Sequence, residues 1–124
     1  MSDMYQDKVI EYGMNPHNYG RLKDYDYEAD NTNVLCGDQV GMTVKVDGGR
    51  ISGIMFNGQG CAISMSSASV LTDMVKGMAV ADVMRIPLEE ILAALDLQDI
   101  TASRKGCACL PLDILQSMVS EVPP

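Results

Sequence analysis

Tryptophan is absent from this chain and phenylalanine occurs once, while methionine occurs ten times. A core made from such a sequence has no aromatic framework and is filled by flexible aliphatic and thioether side chains. Basic residues are scarce, nine against seventeen acids, for a formal net charge of -8. A chain of that sign repels phosphates, which argues against nucleic acid as a partner. A long apolar run is also lacking: the uncharged window at residues 51–72 is broken by Asn57, Gln59, glycines and serines. A spanning helix needs about 20 predominantly apolar residues, so no membrane segment is expected. The opening MSDMYQDKVIEYG lacks the basic-then-apolar layout of a secretory signal, so a cytoplasmic location is expected. Close CxxC-type pairs are missing too. Cys36, Cys61, Cys107 and Cys109 are too scattered for a zinc ribbon, and in a reducing compartment they read as structural, metal-binding or reactive thiols.

What is present fits one domain over residues 1–124, long enough to bury a core without disulfide staples. Residues Met4 to Tyr12 have helical spacing, with Gly13 and Asn15-Pro16 as the stop. Asn18 to Asn33, rich in Asp, Asn and Tyr without periodicity, reads as an irregular surface loop. GMTVKV and RISGIMF flank Asp47-Gly48-Gly49 and predict a β-hairpin. Past Cys61, Ile63, Val70, Leu71 and Met74 fall on one helical face, which closes at Lys76-Gly77. A helix is predicted from Leu88 to Leu95, with Pro87 as its first residue and Glu89 and Glu90 at the positive end of its dipole. The last helix is predicted to start near Cys107 or Cys109 and reach about Val119, with Pro111 in its first turn. The order helix, strands, helices gives an α+β fold: a small antiparallel sheet of about three strands covered on one face by helices.

The chemistry concentrates on the cysteines. Cys36 precedes the first clear strand, Cys61 follows the hairpin at the Gly58-Gln59-Gly60 turn, and Cys107 is expected at the start of the last helix. Element ends present side chains to one rim, and helix N-termini favour thiolate. Asp38, two residues after Cys36, shares its side of an extended segment. Cys36, Asp38, Cys61 and Cys107 are therefore the candidate metal ligands. Each has a plainer alternative: a buried structural cysteine, or for Asp38 a turn cap. Cys109 is as readily a core residue as a ligand, and His17 reads as a solvated loop residue.

The segments NPHNYG at 15–20, CGD at 36–38, GQGCAISMSSAS at 58–69 and RKGCACL at 104–110, in that order over nearly the whole chain, resemble the iron-sulfur cluster assembly scaffolds of the IscU, SufU and NifU N-terminal type. Gly106 departs from the IscU branch, which carries His there; the AISMSSAS wording and Arg104, three residues before Cys107, look like SufU, whereas the spacing from Cys61 to Cys107 is IscU-like. The resemblance implies a protein that is not a turnover enzyme. It implies sulfur received from a PLP-dependent cysteine desulfurase, iron and a transient [2Fe-2S] cluster held by Cys36, Asp38, Cys61 and Cys107, a homodimer around a shared cluster as one arrangement, and transfer to apo iron-sulfur acceptor proteins. Cys107, beside Arg104 and Lys105, is the candidate sulfur acceptor. The alternative implied is a SufU-type zinc-dependent sulfurtransferase using the same four ligands. A third reading is a structural zinc domain.

Overall fold

The computed structural model describes residues 3–33, 37–97 and 100–122. Its elements run α1 (Asp3–Met14), β1 (Tyr27–Asn33), β2 (Asp38–Asp47), β3 (Arg50–Gln59), α2 (Ala62–Val75), α3 (Val80–Val83), α4 (Leu88–Ala94) and α5 (Ala102–Val119). The three strands form one antiparallel sheet in the order β1-β2-β3. The β2–β3 hairpin turns through Gly48 and Gly49, both at positive φ (62° and 78°), the conformation that a two-residue turn demands and that glycine adopts without a steric penalty.

The register places Met42 opposite Phe56 and Val44 opposite Ile54. With Val40 and Ile51 these side chains are almost fully buried, and each contributes about 1.5–3 kcal/mol relative to exposure. Leu71 and Val75 of α2, Ile91 and Leu95 near α4, and Ala108 and Leu115 of α5 complete the same core. α1 packs on α2, while α5 reaches both β1 and β2. Five small polar residues of α2 (Ser64, Ser66, Ser67, Ser69 and Thr72) are also fully buried, so this helix is enclosed around much of its circumference. Their hydroxyls are spent on backbone carbonyls: Ser67 donates to Ala108 (2.5 Å), Ser69 to Tyr12 (2.8 Å) and Thr72 to its own helix at Ser69 (2.9 Å).

Four local expectations are corrected. Part of the segment read as a loop is β1, an edge strand whose residues Tyr27 and Ala29 face the core opposite Val44 and Met42. Its Glu, Asp and Asn content hides it, because those residues are poor strand formers and the pairing comes from β2. The last helix starts at Ala102, not at a cysteine, because Thr101 caps it: its side chain accepts the N–H of Arg104 at 3.3 Å. Pro111 therefore lies in mid-helix, where it cannot donate to the carbonyl four residues back. Pro87 is the N-cap of α4 with extended backbone (φ -84°, ψ 152°), not its first helical residue. Finally, His17 is not merely solvated. Its Nδ1–H meets Asp73 at 2.5 Å and its backbone N–H donates to Ser69 Oγ at 2.7 Å.

Candidate metal centre

One end of the sheet gathers the chemistry. Asp38 opens β2, and strand alternation puts it on the same side as Val40 and Met42, facing the helices. It is 2% exposed. β3 ends at Gln59, and the chain turns through Gly60 into Cys61, the N-cap of α2. Cys61 Sγ accepts the N–H of Ser64 at 3.5 Å, the hydrogen bond by which an N-cap side chain satisfies an otherwise unpaired helical donor. The carboxylate of Asp38 holds this turn from the strand side. Its Oδ1 accepts the Cys61 N–H at 2.8 Å, and its Oδ2 accepts the Cys61 thiol at 3.5 Å.

The two glycines of the turn have separate reasons to be glycine. Gly58 has φ 142°, and a Cβ there would run into the carbonyl oxygen of Gln39. At Gly60 a Cβ would strike Ser64 Oγ and lie 2.9 Å from Asp38 Oδ1. The turn is thus pressed against the carboxylate, and only glycine permits that approach.

α5 supplies the third group. Cys107 lies in its second turn, 5% exposed, not at an element end as expected. One ligand atom each from Asp38, Cys61 and Cys107 lie within 4.8 Å of one another. Among the described residues this is the only cluster of three or more such groups close enough to hold a metal ion. Two soft sulfurs and one hard oxygen suit iron or zinc better than calcium or magnesium, which take oxygen ligands. Cys36 lies outside the described residues. No disulfide joins the three described cysteines.

Cys109, two residues from Cys107, stands apart from the cluster. Its thiol donates to Asp113 at 3.4 Å. Burial, the Asp113 charge and, more weakly, Glu89 push this thiol up to about 11, which disfavours the thiolate that a soft metal needs. Arg104 and Lys105 are exposed in the first turn of α5. Sequence reasoning missed Ser64 and the close approach of Gly60 to Asp38. The Cys-x-x-Ser spacing across the helix start was the available signal for Ser64, whereas nothing local marks the pairing of Gly60 with a residue 22 positions earlier.

A three-stranded sheet with helices, carrying thiols and a carboxylate together at one end, defines a small α+β protein with a Cys/Asp cluster close enough to hold a metal ion. The chain belongs to the NifU-like N-terminal domain family, which it matches over residues 4–123, and with it to the IscU and SufU scaffold group. It is 31% identical over 116 residues to the iron-sulfur cluster assembly scaffold protein IscU 1 of Archaeoglobus fulgidus, covering 94% of this chain and 74% of that one. It is 38% identical over 77 residues to the zinc-dependent sulfurtransferase SufU of Bacillus subtilis, covering 62% of this chain and 52% of that one. In fold it is similar to the N-terminal part of a NifU-like protein from Brucella abortus, with a TM-score of 0.78 at 19% identity over 98% of this chain and 95% of that one. None of the helices among the described residues is long and apolar enough to cross a membrane.

Proposed function

We propose that the chain, acting as one domain over residues 1–124, is a scaffold on which a [2Fe-2S] cluster is assembled and then passed to apo iron-sulfur proteins. The observation that carries this reading is the convergence of Asp38, Cys61 and Cys107 within 4.8 Å, with Cys36 as the fourth ligand two residues from Asp38 in sequence. Thiolates bind iron and sulfide. The carboxylate is a harder ligand, which holds its position on iron less firmly and suits a cluster that must leave. Iron and sulfide are cargo here, and the sulfur comes from a cysteine desulfurase. Arg104 and Lys105, exposed and three and two residues before Cys107 on α5, give an acidic chain a local basic surface toward which a partner's acidic groups are drawn.

A second reading is a zinc-dependent sulfurtransferase, favoured by the 38% identity to SufU and by a ligand set that also suits zinc. In that reading the same residues hold zinc until a cysteine is released to take sulfur. Anaerobic reconstitution with ferrous iron, cysteine and a desulfurase separates the two. The scaffold reading expects visible absorption with matched iron and sulfide. Colourless protein that retains zinc and accelerates desulfurase turnover sinks it in favour of the sulfurtransferase. Zinc with no effect on turnover leaves only a structural site.

A further inference from the structure

Cys61 and Cys107 differ in access to solvent. Cys61 is exposed at the head of α2, whereas Cys107 is buried in the second turn of α5. An incoming sulfur donor therefore meets Cys61 first, and not Cys107, the candidate acceptor suggested by the resemblance. Yet the two Sγ atoms are no more than 4.8 Å apart, and a change of χ1 rotamer moves a sulfur by about 3 Å, enough to close on a bond of about 2.05 Å.

We propose that Cys61 and Cys107 form a resolving pair: Cys61 takes a sulfane sulfur from an incoming persulfide, and Cys107 displaces it as sulfide. The inference rests on the sulfur-handling reading above. In the first step the Cys61 sulfur attacks the outer sulfur of the donor persulfide. The donor's S–S bond breaks, its own sulfur leaves as a thiol with the Cys61 proton, and Cys61 carries the persulfide. In the second step the Cys107 sulfur attacks Cys61 Sγ. A Cys61–Cys107 disulfide forms, the bond to the outer sulfur breaks, and that sulfur departs as hydrogen sulfide with the Cys107 proton. The sulfane sulfur gains two electrons and the two cysteine sulfurs lose one each. A dithiol reductant then restores both thiols by exchange. The sulfide appears beside Asp38, whose Oδ2 already lies 3.5 Å from Cys61 Sγ, at the site that the proposed ligands offer to iron once both thiols are restored. A metal bound by both sulfurs blocks the disulfide, which makes resolution a property of the metal-free chain.

The test uses the metal-stripped full chain with glutathione persulfide and no other reductant, subtracting sulfide released by the donor alone. Sulfide is expected to appear in step with the loss of two alkylatable thiols, and peptide mapping should find Cys61 joined to Cys107. Zinc added beforehand should suppress both. Cys107→Ser should retain the extra sulfur atom on Cys61 and release sulfide at least about tenfold more slowly. Unchanged release in that variant, or a disulfide joining any other pair in the wild type, overturns the proposal. The wild-type map needs no variant, so it decides even if Cys107→Ser fails to fold: absence of the Cys61–Cys107 bond is refutation. A parallel reconstitution with desulfurase, cysteine, ferrous iron and dithiothreitol separates the two levels. A cluster there without the disulfide in the first arm removes the resolving pair and leaves the scaffold standing. No sulfur uptake and no cluster in either arm removes both.

Discussion

The two ends of α2 put polar groups to opposite uses. At its start, the Cys61 sulfur makes only long contacts: its thiol on the Asp38 carboxylate at 3.5 Å and the Ser64 backbone N–H on the sulfur at 3.5 Å. A metal can take over those sulfur and oxygen atoms. Toward its end, Thr72 and Asp73 hold the Asn15-Pro16-His17-Asn18 turn with short bonds. Asn18 Nδ2 donates to Thr72 Oγ1 and to Asp73 Oδ1, both at 2.9 Å, and His17 Nδ1–H donates to Asp73 Oδ2. Tyr12 stacks at a tilt against His17, with ring centroids 5.0 Å apart. Cys61 and Asp73 are twelve residues apart on this helix, so the two clusters are separated by about 18 Å along its axis. One end holds candidate ligands for a metal, and the other is an anchor held by short hydrogen bonds. Perturbing each end should therefore move a different observable.

The largest effect belongs to the ligand end. Cys107→Ser should abolish retention of zinc or of a reconstituted cluster, because a serine oxygen is a poor replacement for a soft thiolate. Cys109→Ser should keep most of it, since that thiol is turned to Asp113. Metal content after desalting measures both, and the reverse order would place the ligand at Cys109. Next comes Gly60→Ala. The new Cβ would push on Ser64 Oγ and Asp38 Oδ1, so zinc affinity, read by competition with a chelator, should fall by about tenfold. A small loss of stability, on the order of 1–2 kcal/mol, should accompany it. Unchanged affinity would mean that the turn does not hold the ligands in place.

The anchor end should behave the other way. Asn18→Ala removes two hydrogen bonds, and should lower unfolding stability by about 1 kcal/mol in urea titrations while leaving zinc affinity unchanged. Combined with Gly60→Ala, its cost should add, as expected for sites with no shared partners more than about 7–10 Å apart. A loss of metal affinity in Asn18→Ala alone would break the comparison, since the anchor would then be setting the geometry of the centre.

This division was only half legible in the sequence. The ligand end announces itself, because Gly58, Gly60 and Cys61 follow a strand pattern and precede a helical one, and the Asp47-Gly48-Gly49 turn fixes the register that brings Asp38 alongside. The placement of Cys107 was not legible. Two cysteines, a glycine and Pro111 read as the start of a helix, but Thr101 had already begun it, so the thiol sits on the side of a helix and reaches the centre by packing. β1 was hidden because its Asp, Asn and Thr residues pair through backbone atoms and carry little hydrophobic pattern. The anchor was hidden for a related reason. His17 and Asp73 are 56 positions apart, and no local periodicity connects a loop histidine to a helical aspartate.

The smallest effect concerns pH and isolates the anchor without touching the centre. Burial pushes the Asp73 carboxyl up, but hydrogen bonds from His17 and Asn18, with the His17 and Lys76 charges, outweigh it and leave the group below its ordinary value. A carboxyl whose folded value lies below its unfolded value of about 4 binds fewer protons when folded, so its stabilising contribution is complete above that value. The contribution is lost as pH falls through the lowered folded value. Asp73→Asn should therefore be less stable than the wild type at neutral pH, with the gap narrowing only in the acid range. The side chain is 42% exposed, so solvent screens the pair and the gap should be small and shrink further in high salt. Urea midpoints of the metal-free chains, compared at neutral pH and near pH 3, read it out. A gap that stays constant down to pH 3 would show that Asp73 acts as a neutral hydrogen-bond partner, and the anchor would then hold through Asn18 and the Ser69 hydroxyl without help from charge.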